Sequence, residues 1–368
     1  MLKKIGIILI CASFISGCSL SEDRKETTVE KVSTVNLSGG VIRSLDFGKT
    51  YEPFVTAFEG KNISKIQVFS LNFPYNSNNF LFLGSQKDGL FAHNMEKKFW
   101  EKLVFPPEKI YAVESSYDLV TKEIILYALG SYKESGKIYK SLDGGKEWKE
   151  IYSEPSKDTV LLSLALHPKN SSIIYAGTSS GVLIKSEDGG ITWSNKQALN
   201  KPIFSIRIDA VDFETIYLLL YEEDIVVSRD GGKTIIEKSK NITQTQEEDI
   251  SFLESLRGKK TSSLAIDPRR SGIVYAGTED GVYRSLDYAT TWNRLKVIES
   301  IKDFPVRSIA VSPFSSDEII FGVARIIYKT SNGGESWQTY QIEADATPGH
   351  IIFDPIKEGT LYVGLRSF

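Results

Sequence analysis

From residue 39 onward, short apolar runs alternate with turns rich in Gly, Asp and Pro, and the same runs recur. Residues 163–168 read Ser-Leu-Ala-Leu-His-Pro, 263–268 Ser-Leu-Ala-Ile-Asp-Pro and 308–313 Ser-Ile-Ala-Val-Ser-Pro. Proline ends each run because it cannot donate to a strand ladder. Next come Tyr-Ala-Gly-Thr runs at 175–178 and 275–278, then a Gly-bearing turn, then runs at 182–185 and 282–285. The pattern predicts strands A, B and C in that order. Strands of this length at this spacing indicate an all-β protein.

A polar octet follows strand C, and its last residue opens a fourth strand, D. Seven copies occupy 44–51, 93–100, 141–148, 186–193, 228–235, 285–292 and 330–337. The pattern is S-x-D-x-G-x-x-W. Asp46, Asp143, Asp188, Asp230, Asp287 and Asn332 hold the third position. Trp100, Trp148, Trp193, Trp292 and Trp337, all five tryptophans of the chain, hold the eighth, where Tyr51 and Ile235 complete the set. The copy at His93 is eroded, with Met95 and Lys97 in place of Asp and Gly. Eighth positions fall 49, 48, 45, 42, 57 and 45 residues apart, a spacing that suits propeller blades.

The octet has a local physical reason. An Asp side chain accepts backbone N–H groups in a tight turn, and Gly permits a positive φ where the chain reverses. Ser or Thr adds a second hydroxyl, and Trp wedges against neighbouring apolar surface. Turn closure accounts for every copy, whereas copies spread around a ring cannot all be metal ligands or acids. The chain ends supply a further expectation. Residues 40–51 carry only strand C, its octet and the start of D, whereas 350–364 carry only A and B. The two half-blades should pair, giving one seven-bladed β-propeller over 39–368, four antiparallel strands per blade, closed by the two ends of the chain.

The octet resembles the Asp-box, or BNR repeat, of sialidases, xyloglucanases, sortilin-type receptor domains and photosystem II assembly-factor propellers. The resemblance extends over the whole repeat region. It implies a propeller fold but selects no single function. In such propellers the ligand usually meets the central channel and the face opposite the octets.

The first residues carry a separate signal. Lys3 and Lys4 precede an apolar stretch, Ile5 to Ile15, of signal-peptide rather than membrane-spanning length. Ile15-Ser16-Gly17-Cys18 resembles the bacterial lipobox, which implies cleavage after residue 17 and lipidation of Cys18. Residues 18–38 are polar and read as a flexible lipidated tether. Ser19 after the cysteine resembles outer-membrane sorting. The expected location is therefore an exported lipoprotein on the outer membrane or cell surface.

Composition narrows the chemistry. The net charge of −3 gives no footprint for nucleic acid. Cys11 and Cys18, the only cysteines, lie in the leader, so the folded part has no thiolate nucleophile, disulfide or Cys-based metal site. The three histidines lack metal-ligand spacing, and each Asp-Gly-Gly belongs to an octet rather than a phosphate loop, so no cofactor is expected. His167 replaces the Asp of strand A's closing turn and reads as a turn residue. The sialidase Arg-Ile-Pro signature is absent, and Arg43 matches Arg284 in the repeat and reads as structural.

Residues opening strand A should approach the channel mouth: Lys65, Arg207, Arg307 and His350, the last in place of the repeat serine. Residues 236–262 form an insertion, in which Ile250, Phe252, Leu253 and Leu256 can share a helix face; it is either a structural cover or a docking element. The favoured reading is a non-catalytic monomeric scaffold for an envelope or extracellular protein. The alternative is a propeller that binds or hydrolyses glycans. Two facing carboxylates at glycosidase separation in the channel would select the alternative.

Overall fold

The computed structural model describes residues 30–31, 37–75, 77–107, 109–118, 121–132, 135–221, 225–236, 260–297 and 304–367. The leader, Cys18, most of the tether and the core of the 236–262 insertion lie outside the described residues.

Seven antiparallel sheets form a propeller. Blade 1 runs from Val68 to Lys102, blade 2 from Lys109 to Ser153 and blade 3 from Leu161 to Ala198. Blade 4 runs from Ile203 to Ser228, blade 5 from Thr261 to Arg294 and blade 6 from Ser308 to Gln341. Blade 7 joins Thr347–Phe353 and Leu361–Arg366 to Gly40–Ser44 and Glu52–Pro53. Its central register pairs Gly40 with Leu365 and Ser44 with Leu361. The chain ends close the ring, as the half-blades predict. Blade 4 has three described strands, and Ile236 forms an isolated antiparallel bridge with Val227 of the third.

Strand order within each blade is A, B, C, D from hub to rim. Successive A strands pack around the axis. The B strands of blades 3 to 6 are buried at every position, because both faces of each sheet are covered by neighbouring blades. This is why they read as continuous apolar runs rather than alternating ones. The core is accordingly a set of wedges between blades. Val41 and Tyr362 of blade 7, for example, share a cluster with Leu71, Leu81 and Trp100 of blade 1.

The octets sit at the outer turn between C and D. In the Ser186 copy, Ser186 Oγ donates to Asp188 Oδ1 (2.8 Å) and accepts from Gly190 N–H (2.8 Å). Asp188 accepts from Ile191 N–H (3.0 Å), Thr192 N–H (2.9 Å) and Thr192 Oγ1 (2.5 Å). Matching bonds recur on Asp46, Asp143, Asp230, Asp287 and Asn332. The fourth and fifth positions have φ of 74° and 90° at Gly189 and Gly190, a left-handed pair that glycine adopts without strain. In the eroded copy Asn94 supplies the acceptor instead, taking Glu96 N–H (2.9 Å) and Lys97 N–H (3.0 Å).

Each tryptophan reaches the preceding blade. Trp100 Nε1 donates to Phe54 O, just past blade 7 (2.8 Å), and Trp193 Nε1 donates to Ile151 O of blade 2 (3.1 Å). Trp148 lies 4.4 Å from Phe105, Trp292 joins Tyr217 and Leu219 of blade 4, and Trp337 joins Tyr275 of blade 5. C-strand cations reach the other way: Lys140 Nζ donates to Gly189 O (3.1 Å) and Arg284 Nη1 to Gly333 O (2.9 Å). His167 is a turn residue, its Nδ1 accepting from Lys169 and Asn170 N–H (both 3.1 Å).

Two features touch the expected tether. Leu37 is buried against blades 6 and 7, and its carbonyl accepts Asp345 N–H (2.9 Å). Glu30–Lys31 pair in parallel with Tyr340–Gln341 at the outer edge of blade 6.

Candidate functional site

The central channel is a cavity of about 1450 Å³ lined by A strands and the turns around their ends. Its mouth is built by a repeated irregularity. In six blades strand A carries a bulge after its first or second paired residue, leaving Phe69, Tyr111, Leu162, Phe204, Ser262 and Gly349 unpaired. Arg307, directly before the first paired residue of blade 6, fills the seventh place. All seven line the cavity. A bulge re-aims side chains and commonly does so beside binding sites. In blades 3 and 5 the serine after the bulge ties neighbouring blades together: Ser163 Oγ donates to Ile203 O (2.8 Å), and Ser263 Oγ to Val306 O (2.6 Å).

Two residues further along lies the hub proper. Asn72 Nδ2 donates to Glu114 Oε2 (3.0 Å), and Ser115 Oγ donates to Asn72 Oδ1. Burial pushes the Glu114 carboxyl up to about 7, against the pull of Arg207 and the bond from Asn72. Burial and then the Arg207 charge push His350 down to about 4, opposed by a hydrogen bond with the Phe69 backbone. Burial lowers Arg207 and Arg307 as well, Glu114 opposing the shift at Arg207. Arg366, at the end of strand B of blade 7, is lowered to about 10 by burial and then by the Arg307 charge. Its guanidinium lies 5.3 Å from the Phe69 ring centre.

Of the residues expected at the mouth, Arg207, Arg307 and His350 line one cavity. Lys65 does not. Strand A of blade 1 begins at Val68, three residues later than that expectation assumed, and Lys65 is exposed in the preceding link. Glu114, Asn72, Arg366 and the aromatic members of the bulge ring were not anticipated. The position before the repeated serine of strand A would have revealed the ring.

The lining carries five cations (Lys109, Arg207, Lys260, Arg307 and Arg366) and two carboxylates, Glu114 and Glu279. An acidic protein thus holds a basic channel. Glu114 lies on an A strand and Glu279 on the B–C turn of blade 5, so no carboxylates from facing A strands meet among the described residues. No cluster of three or more potential metal-ligating side chains exists among the described residues.

Comparisons with known proteins bear on the fold. Residues 136–265 match the family described as Sortilin, neurotensin receptor 3. Curated protein sequences contain no match. Among solved structures, the GH74 enzyme of Niastella koreensis is 18% identical with a TM-score of 0.63, over 81% of this chain and 51% of that one. The GH74 xyloglucanase of Xanthomonas campestris is 16% identical with a TM-score of 0.64, over 81% and 51%. YCF48 from Cyanidioschyzon merolae is 15% identical with a TM-score of 0.61, over 81% and 95%. This chain is a β-propeller, like them. It spans about half the length of the two GH74 enzymes. At such identities the likeness establishes shared architecture and no shared activity.

Proposed function

We propose that this protein is a non-catalytic propeller scaffold that binds an envelope or extracellular protein at its channel mouth. In this reading the octets are Asp-boxes, and Cys18 carries the lipid that tethers the propeller to the outer membrane or cell surface. One observation carries the binding reading: the hub presents arginines around a single A-strand carboxylate, Glu114, rather than two carboxylates facing across a cleft. Glycoside hydrolysis uses a carboxyl pair about 5–9.5 Å apart. A structure of YCF48 bound to D1 peptide, 12% identical with a TM-score of 0.59 over 92% of this chain and 98% of that one, supports a propeller of this size as a peptide receptor.

The test compares wild type with the Arg207→Ala/Arg307→Ala double variant. Wild type should capture a protein from solubilised membranes that the folded variant does not. Release of reducing ends from xyloglucan or sialosides by wild type, abolished in Glu114→Gln, would overturn the reading. Labelled palmitate should enter wild type and not Cys18→Ala.

A second reading, glycan binding, is favoured by the exposed pair Phe204 and Tyr221, whose rings lie 5.3 Å apart at the mouth. Such flat apolar surface suits a sugar face. Retention of the protein on immobilised xyloglucan, lost in Phe204→Ser, would select it.

A further inference from the structure

The seven mouth positions are not equivalent. On blades 1 to 4 the bulge carries Phe69, Tyr111, Leu162 and Phe204. Tyr221 adds a second exposed ring beside Phe204, and Phe69 and Tyr111 lie 6.3 Å apart. On blades 5 to 7 the same positions carry Ser262, Arg307 and Gly349. Gly349 is the informative one. A Cβ there would stand 2.8 Å from Arg366 Cγ and 3.0 Å from both Cδ and Nε. The missing side chain is therefore the space in which Arg366 lies, so strand B supplies blade 7's contribution to the mouth. At these seven positions, one half of the mouth is apolar and the other is polar, with Arg307 and the seated Arg366 as its cations.

The charge is specific to this place. The whole chain has a net charge of −3, yet the channel lining holds five cations against two carboxylates. A cleft lined by one sign of charge between low-dielectric walls focuses its field on an approaching ligand. An apolar half alone would accept many segments. The cationic half beside it restricts the choice to segments that place an anion next to an apolar side chain.

We propose that the channel mouth recognises a peptide segment carrying a carboxylate beside an aromatic or branched aliphatic side chain. The apolar group packs on the blade 1–4 half, and the carboxylate meets Arg307 and Arg366 on the other. Gly349 acts as a positioning residue, because it seats Arg366. This inference rests on the protein-binding reading above.

The experiment selects a displayed random decapeptide library on the full-length protein in detergent. Enriched sequences should be acidic, with Asp, Glu or a free C-terminus adjacent to Phe, Tyr, Leu or Ile. A labelled peptide from the enriched set should bind at least tenfold more weakly to Arg307→Gln/Arg366→Gln. It should also bind tenfold more weakly to Phe204→Ser/Tyr221→Ser, and Gly349→Ala should resemble Arg366→Gln. Thermal unfolding confirms that each variant is folded. Enrichment of neutral or basic peptides, or unchanged affinity in folded variants, would overturn the inference while leaving the protein-binding reading in place. Failure to enrich any peptide above the level seen with the variant that combines Arg307→Gln, Arg366→Gln, Phe204→Ser and Tyr221→Ser would overturn both.

Discussion

Rim and hub solve opposite problems with the same strands. At the rim, each octet repeats one set of bonds, as Asp188 and Asp230 show with their threonine partners. At the hub, the equivalent positions of successive blades carry Asn72, Glu114, Ala165, Arg207, Ala265, Ala310 and Ile352. No two of the charged members are alike. The rim holds its charges in accessible turns with several donors on each carboxylate. The hub brings charge into a channel where burial shifts the groups toward neutrality. Repetition stabilises a ring, whereas departure from repetition creates a particular ligand surface.

The largest effect that separates the two regions should come from Trp100→Ala. Trp100 is 1% exposed and bonded to Phe54 O across the closing interface. Its loss should cost about 3–5 kcal/mol, read as a fall in the urea midpoint. Arg307→Gln should move that midpoint far less while reducing ligand binding. Equal effects of the two on stability would erase the distinction. Next in size is Ser228→Ala. Ser228 is fully buried, donates to Asp230 (2.7 Å) and accepts Gly232 N–H (2.9 Å), so its removal leaves a buried donor unmatched. The expected cost is about 1–3 kcal/mol, with binding at the mouth unchanged.

Acidity sharpens the comparison. Asp188 and Asp230 are held down to about 2, chiefly by the hydroxyls of Thr192 and Thr234 and then by their N–H groups. A lowered carboxyl stabilises the fold above its unfolded value of 3.8, and that stabilisation is lost as pH falls toward about 2. Glu114 does the reverse. Raised from 4.5 to about 7, it favours the fold most at low pH and loses that contribution as pH climbs between those values. His350, lowered from 6.5 to about 4, makes stability rise with pH across its own window. The two hub slopes oppose one another between about 4.5 and 6.5. Midpoints measured against pH should therefore slope upward more steeply there in Glu114→Gln than in wild type. An unchanged profile would show that Glu114 ionises as freely in the hub as in the unfolded chain.

The smallest effect lies in blade 5, whose octet lacks glycine. Tyr288 and Ala289 adopt φ of 59° and 62°. Ala289→Gly relieves a left-handed alanine but removes a buried methyl group. The two roughly cancel, leaving a change below about 1 kcal/mol in thermal unfolding. A large loss would mean that packing, not turn geometry, holds this copy.

The same division explains what could be read from the residues alone. Turn chemistry is local, so Asp46, Asp143 and their counterparts announce both the blades and their number. The closing blade followed from which half-unit stood at each end. Arg207 and Arg307 were visible as residues opening strand A, and His350 as a departure from the repeat serine. Glu114 and Arg366 were not, because the groups that face them (Asn72 and Arg207, and Phe69 and Arg307) lie on other blades, and charge proximity leaves no mark on spacing. Lys65 was misplaced because Ser70 was not aligned with the repeated serine of strand A, which sets where that strand begins. The acceptor of the eroded octet moved one position, to Asn94, since the turn needs an oxygen near its N–H groups rather than a particular residue number.

The seam between Gly40–Ser44 and Leu361–Arg366 has a consequence for biogenesis. Gly40–Ser44 pairs on one side with the nearby Glu52–Pro53, but finds its other partner only after the six intervening blades have been made. Until then the nascent ring carries a bare edge ready to pair with any extended stranger. Pairing of this seam thus removes the bare edge, and a copy truncated before Leu361 would keep it exposed.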